Sequence, residues 1–407
     1  MNTVSKRVMV VMPTLGGGGA ERVTTTLLSF LDPEEFVVRL VVANGKQRYG
    51  DLPPAVEVVD LKQKRMRHTL SSIVRHAREF KPDIVYTTIA QANTAVALVR
   101  PFLGRKTICI AQQVHMHGGW RPRKIRNRLR LRVLKRLLRQ FDYFVCENDI
   151  VRQDCADQYN FPLERIRVIP NPVDVRGIRS AIDSGGKQDD AQSVVDVETG
   201  AVQFVAAGRL QYEKGFDILL EALARYCSVP FRLQILGDGT LRPALEQQAK
   251  QLGIQDRVSL LGFQKSPYAY FAEADALILP SRADASPNVV LEALACQTPV
   301  IATPALGGVA GLIKGVDGCV LADDVAAEPL GRAINKWVQE KAKESVPPDA
   351  IDGHDPELVA QAYKSLFDAA VDARHSRGNK GGNRTAIWRH KGHQLGKGGD
   401  HSSKGKA

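Results

Sequence analysis

The sequence predicts an α/β protein built as two parallel-sheet domains. Short apolar runs of strand length alternate with amphipathic stretches of helix length, the order that gives parallel strands joined by helical crossovers. The alternation occurs twice. It is broken by the polar, glycine-containing stretch DSGGKQDDAQSVVDVETG at 183–200 and by IPNPVD at 169–174, whose two prolines stiffen the joint. A third observation is the glycine run at 16–19, placed where the first strand turns into the first helix.

In order, VMVVMP (8–13) reads as a buried strand and VTTTLLSFL as the helix after the glycines. Further strands fall at 36–43, 56–61, 82–88, 107–114, 141–148 and 165–171, with helical patterns at LSSIVRHAREF, ANTAVALVRPFL, 121–139 and DIVRQDCADQYN. The second series runs through VQFVAAGRL (202–210), FRLQILGDG (231–239), VSLLGF (258–263), DALILPS (275–281), PVIAT (299–303) and GCVLA (318–322). ELVAQAYKSLFDAAV (357–371) is a last amphipathic helix, and 372–407 lacks apolar periodicity, so it reads as a disordered basic tail. The expected divisions are 1–170, 175–356, the helix 357–371 and the tail 372–407.

The 407 residues suffice for two domains with sizeable cores, and a hydrophobic content of 44% is ordinary for a globular chain. The net charge of +12 is local: 121–139 holds ten Lys or Arg and no acid, and 372–407 holds nine against Asp372 and Asp400. Local basicity points to specific anionic partners or a solvated tail. The six cysteines form no C-x-x-C pair and several sit in apolar runs, so neither zinc nor a redox motif is expected, and a reducing cytoplasm fits. The first apolar run is too short for a secretory signal, and no stretch reaches the ~18 apolar residues of a membrane span.

Three stretches carry chemistry. In SRADASPNVVLEALACQTPVIAT (281–303), Asp284 and Glu292 flank a break at Pro287 and Asn288, after which VVLEALA starts a helix. Such an N-terminus attracts phosphate, and a carboxylate beside it accepts hydrogen bonds from a diol. A capped helix with one solvated acid is the plainer reading. In GRLQYEKGFDILLEAL (208–223), Arg209 follows a buried strand and Lys214 precedes a helix, so two cations converge where parallel sheets bind ligands. They could neutralise a leaving diphosphate, or simply meet water and a nearby acid. GGGGAER departs from the dinucleotide fingerprint: Glu21 or Arg22 stands at the third glycine position, and Asn44 and Gly45 end the next strand where an acid is required. The run remains compatible with a tight turn or with close approach of an anion.

Taken together, GGGGAERV, IPNPVD, GRL-x-x-x-KG, LGDG-x-L, V-x-LLGF and D-x-x-PNVVLEALA-x-x-x-PVIAT occur in an order that resembles the retaining glycosyltransferases of family 4, over about residues 8–371. The resemblance implies the GT-B architecture: two Rossmann-like domains facing a cleft, with the last helix crossing back to the first. The amino-terminal domain then takes the acceptor and the carboxy-terminal domain the nucleotide-sugar, a UDP-sugar by preference. By position, Arg209 and Lys214 hold the donor diphosphate, Glu292 binds the ribose, and Asp284 contacts the donor sugar. Ser286, Asn288 and Val289 line sugar and phosphates, Gly17 and Gly18 close over the diphosphate, and Gly237 and Gly262 flank the base. His115 faces the reacting sugar, with His117 the alternative. Three positions depart from the family pattern: Asp284 replaces the usual Glu, Ala285 and Ser286 replace a glycine and an aromatic, and Gly311 stands where Glu is common. These bear on the sugar taken and leave the fold unaffected. No metal or cofactor is expected, and the family's front-face displacement needs no protein nucleophile.

In 121–139, Ile125, Leu129, Val133, Leu134, Leu137 and Leu138 share one helical face with basic residues around it. That pattern suits an anionic membrane surface, or a helix packed on the sheet with its charges in water. With a lipid-linked or growing glycan as acceptor, the expected location is cytoplasmic, peripheral on the inner face of the membrane, in polysaccharide or lipopolysaccharide synthesis. Two competing readings remain. One is a GT-B protein that binds without catalysing. The other is a nucleic-acid binder, disfavoured because the basic run has no interleaved aromatics, so no specific nucleic acid is expected.

Overall fold

The structure is a computed structural model describing residues 5–16, 19–48, 52–113, 125–184, 200–284, 286–305, 308–340 and 346–379. The first half contains β1 (Lys6–Leu15), α1 (Gly19–Ser29), β2 (Phe36–Arg48), β3 (Val56–Asp60), α2 (Leu70–Phe80), β4 (Ile84–Thr87), α3 (Ala90–Val99), β5 (Ile108–Gln113), α4 (Ile125–Leu138), β6 (Tyr143–Cys146), α5 (Asp149–Tyr159) and β7 (Ile166–Val168). After α6 (Val175–Asp183) come β8 (Val202–Ala207), α7 (Phe216–Tyr226), β9 (Phe231–Leu236), α8 (Arg242–Gln251), β10 (Val258–Gly262), α9 (Tyr268–Glu273), β11 (Ala276–Leu279) and α10 (Asn288–Ala295). The chain ends with β12 (Val300–Ala302), α11 (Gly308–Ile313), β13 (Val320–Leu321), α12 (Ala327–Glu340) and α13 (Pro356–Asn379).

The strands form two separate parallel sheets, ordered β3-β2-β1-β4-β5-β6-β7 and β10-β9-β8-β11-β12-β13. Each is covered on both faces, which is why the strands read as continuous apolar runs. In β1, Met9 and Val11 enter one core with α2 and α3, while Val8, Val10 and Met12 enter another with α1 and α13. Local signals set the joints. The Asn148 side chain accepts from the Val151 amide at 2.9 Å to start α5, and Asp174 at the end of IPNPVD accepts from the Gly177 amide at 2.9 Å to start α6.

The helix expected to cross back does so. α13 follows the second sheet yet packs on the first: Val359, Ala360, Tyr363, Leu366, Phe367 and Ala370 recur at three- and four-residue spacing and are buried with β1, β2 and β4. The Tyr363 and Tyr86 hydroxyls lie 3.0 Å apart, Tyr86 donates to Gln112 Oε1 at 2.8 Å, and Lys6 pairs with Asp368 at 2.7 Å. One boundary needs correction. α13 runs to Asn379, so the segment from Asp372 continues the helix rather than beginning a disordered tail; Arg374 there reaches Asp142 at 3.4 Å and the Thr107 carbonyl at 3.1 Å. Helical spacing was invisible because polar residues take over its outward faces.

α4 settles its own face only in part. Leu134, Leu137 and Leu138 pack inward on the first core, whereas Val133 is exposed beside exposed Arg132 and Arg136. Val133 thus leaves the apolar stripe assigned to it. Residues 121–124 and the side chains of Ile125 and Leu129 lie outside the described residues.

Phe367 is 1% exposed and its ring meets Phe36, Tyr86 and Tyr363 at 6.0–6.3 Å. Phe367→Ala should therefore lower stability by about 3–5 kcal/mol in urea unfolding; a loss below about 1 kcal/mol would show that α13 does not anchor on the first sheet.

Candidate active site

In sheets of this order, ligands gather at strand carboxyl ends beside the switch point, here between β1 and β4 and between β8 and β11. The contacts between lobes occur there. α1 begins at Gly19, where an added Cβ would stand 2.7 Å from the side-chain Nδ2 of Asn288, the first residue of α10. Asn171, past the end of β7, donates from Nδ2 to Asn288 Oδ1 at 2.7 Å and to Ser286 Oγ at 3.5 Å. The start of α10 has no side-chain cap; the Val290 amide donates to the Pro287 carbonyl at 3.0 Å.

The second lobe builds its rim from glycine-permitted close approaches. Gly208, Gly237 and Gly262 end β8, β9 and β10 with φ of +154°, +137° and +73°. A Cβ on Gly237 would stand 2.0 Å from the Gly208 carbonyl oxygen, and the Gly237 amide donates to the Gly262 carbonyl at 2.6 Å. Gly215, φ +68°, follows the turn Tyr212–Lys214, and a Cβ added there would stand 2.0 Å from the Pro280 carbonyl oxygen after β11. Arg282 then locks the two loops. Its backbone amide donates to the Glu213 carbonyl at 2.8 Å. Its guanidinium grips Asp217 at 2.7 and 2.6 Å, donates to the Tyr212 carbonyl at 2.9 Å, and lies 4.1 Å over the Tyr212 ring. Burial would push the Asp217 carboxyl up, but the Arg282 hydrogen bonds and charge outweigh it and hold the group below its usual value. The result is a fixed meeting of Lys214, whose ammonium donates to Asp284 Oδ2.

Charge is balanced across the seam. Arg22 on α1 forms an ion pair with Glu292 on α10, and both are largely buried. Burial pushes the Glu292 carboxyl up, and the Arg22 charge and hydrogen bond partly restore it. Glu21, buried one residue earlier, is also pushed up by burial; a hydrogen bond to its own backbone and the charge of Arg209 from the other lobe offset part of this. Arg209 itself is exposed after β8. A cavity of about 160 Å³ opens beside the pair, lined by Arg22, Tyr268, Asn288 and Glu292 together with Pro172 and Ile178 from the joint.

The structure brings together Arg209, Lys214, Asp284, Ser286, Asn288, Val289 and Glu292 on the loops after β8 and β11 and on the first turns of α10. Gly237 and Gly262 lie at adjacent strand ends. Gly17, Gly18, His115 and His117 lie outside the described residues. Sequence reasoning missed Glu21, Arg22, Asn171, Glu147 and Arg282. The first two were visible only as misfits to a glycine fingerprint, although α1 at 3.6 residues per turn had to present them at its first turn.

Removing one member of a buried pair leaves the other uncompensated. Arg22→Ala should cost about 3 kcal/mol by urea unfolding, and adding Glu292→Ala should recover part of that loss. A loss in the double variant equal to the sum of the two single losses would rule out coupling across the seam.

Residues 201–340 match the family model described as Glycosyl transferases group 1, and residues 17–176 match that described as Glycosyltransferase Family 4. The chain is 25% identical over 300 residues to the N-acetylgalactosamine-N,N'-diacetylbacillosaminyl-diphospho-undecaprenol 4-alpha-N-acetylgalactosaminyltransferase of Campylobacter jejuni, covering 71% of this chain and 78% of that protein. It is 27% identical to the lipopolysaccharide core biosynthesis glycosyltransferase LpsE of Rhizobium meliloti, covering 80% and 87%. Among solved structures, Anabaena HepE in complex with UDP and glucose superposes with a TM-score of 0.69 at 18% identity, over 89% of this chain and 100% of that one. WaaG, a glycosyltransferase involved in lipopolysaccharide biosynthesis, does so at 0.62 and 18%, over 90% and 99%. With both lobes matched, the chain belongs to the group 1, family 4 glycosyltransferases of GT-B fold.

Proposed function

We propose that the protein is a retaining, metal-independent glycosyltransferase that moves a hexose or N-acetylhexosamine from a UDP-sugar to a lipid-linked or growing glycan. The observation that carries this reading is the meeting of Lys214 with Asp284 ahead of the start of α10, with Glu292 buried on that helix and Arg209 exposed at the end of β8. The Campylobacter relative, named for transfer onto a diphospho-undecaprenol carrier, and HepE, solved with UDP, support the acceptor and donor classes.

On this reading the donor diphosphate lies between the two cations and the α10 amides. Charge develops on the β-phosphate oxygen that leaves the anomeric carbon as that bond loosens, and Arg209 and Lys214 stabilise it. Asp284 orients Lys214 while its remaining lone pairs accept from the sugar hydroxyls, and Glu292 accepts from the ribose. His115 faces the reacting sugar. The acceptor oxygen attacks on the face the diphosphate leaves, and a phosphate oxygen takes its proton, so configuration is retained without a protein nucleophile. Gly17 and Gly18 close the diphosphate side, Ser286 and Val289 the sugar side, and Gly237 and Gly262 the base. The first lobe, with its boundary near 170, takes the acceptor, and the unit 175–356 takes the donor.

α4 supports a peripheral location on the inner membrane face: exposed Val133 stands among exposed Arg132 and Arg136, while Leu138 is buried and Leu134 and Leu137 are partly buried against the first core. Among the described residues no helix is long and apolar enough to cross a membrane.

UDP and one UDP-sugar should raise Tm, since a ligand that binds only the folded state stabilises it, and Lys214→Ala should cut transfer about 100- to 1000-fold while the protein stays folded. No shift with any nucleotide, or near-normal turnover of the variant, would contradict the assignment. Reversing Arg126, Arg130, Arg132 and Arg136 to Glu should weaken partition onto anionic vesicles about a thousandfold, at ~1 kcal/mol per basic residue; unchanged partition would remove α4 from the membrane contact.

A further inference from the structure

Glu147 directly follows β6 and is 7% exposed. The Asn171 side chain and the Ser286 hydroxyl face its carboxyl as hydrogen-bond partners, yet its Oε2 has no partner among the described residues, and neither has Asn171 Oδ1. Asn171 is itself held: His354 Nδ1 lies 2.8 Å from its carbonyl oxygen, and its Nδ2 donates to Asn288. A buried carboxyl of the first lobe thus meets the loop of the second lobe that carries Asp284.

The charges around it are unfavourable to ionisation. Burial is the largest influence and pushes the Glu147 carboxyl up to about 8; hydrogen bonds from Asn171 and Ser286 draw it down, and nearby Asp284 pushes it up again. Lys214 is engaged by Asp284. The phenols Tyr86 and Tyr363, on β4 and α13, are close enough for a charge on Glu147 to hold their protons more tightly. Among the described residues no cation offsets the carboxyl. His354 is pushed down by burial, so it brings no positive charge at neutral pH. A protonated carboxyl offers a donor as well as acceptors, which suits a site already holding the orphan acceptor Asn171 Oδ1. An ionised one would set acceptor against acceptor beside Asp284.

We propose that Glu147 is a positioning residue for the transfer reaction, its buried carboxyl bridging the lobes between Asn171 and Ser286 and holding the loop after β11 in the seam. This deepens the function proposed above and rests on it. Ionisation of Glu147 releases the loop, so transfer falls on the alkaline side.

The test follows UDP release from UDP-glucose and UDP-N-acetylglucosamine between pH 6 and 10, with the full chain, Glu147→Gln and Glu147→Ala. Wild-type turnover should fall about tenfold between pH 7 and 9, the fraction expected for a group titrating near 8. Glu147→Gln, neutral at every pH and still a donor, should retain most of the pH 7 rate and lose the alkaline fall, whereas Glu147→Ala should be slow throughout. An alkaline fall that persists in Glu147→Gln, or a glutamine variant as slow as the alanine one, overturns the proposal. Infrared spectra supply a readout without turnover: a protonated-carboxyl band present at pH 7, lost by pH 9 and missing from Glu147→Gln supports it. Absence of that band in wild type at pH 7 overturns it whatever the activity. If wild type turns over neither UDP-sugar while the band is present, the function reading fails and the role in transfer goes with it, the protonation of Glu147 standing.

Discussion

A carboxylate as buried as Glu292 cannot stand alone, because removing a charge from water is costly unless an opposite charge accompanies it. Its partner, Arg22, comes from the other lobe. That single requirement ties the first turn of α1 to α10, and so brings the carboxyl ends of the two sheets together. Asp284 answers the same requirement within one lobe by engaging Lys214. Both pairings place acids and cations where substrate hydroxyls and phosphates would compete for them.

The scaffold makes this placement rigid where rigidity matters. Gly237 lets its strand end approach the Gly208 carbonyl closer than any side chain would allow, and Gly208 and Gly262 take the positive φ that the neighbouring strand ends require. Arg282 fastens the Lys214 turn to the Asp284 loop through backbone, carboxylate and ring at once. α13 closes the chain back on the first lobe, with Lys364 paired to Glu35 and Arg374 to Asp142. The described contacts between the lobes' facing ends are few and polar. Such an interface permits relative movement.

Most of the fold was legible because parallel strands buried on both faces produce dense apolar runs, and each expected strand of both series is present. The residues proposed for the donor side lie in short motifs that stand out in the sequence, Arg209 after β8, Lys214 before α7, Asp284 after β11 and Glu292 within α10. Residues that act across the seam were not legible. Arg22 and Glu292 are 270 positions apart, and Asn171 and Asn288 are 117 apart. Nothing local marks either pair. Glu147 resembles any polar residue after a strand, and only its burial against Ser286 distinguishes it. The reach of α13 past Asp372 was hidden for the opposite reason: a helix whose outward faces are polar shows no apolar period.

A crystal structure of the protein soaked with UDP tests the central claim most directly. The pyrophosphate should lie between Arg209, Lys214 and the first amides of α10, with the ribose hydroxyls on the Glu292 carboxylate and Arg22 displaced or sharing that carboxylate. UDP bound away from α10, with the Arg22–Glu292 and Lys214–Asp284 pairs undisturbed, would contradict the account.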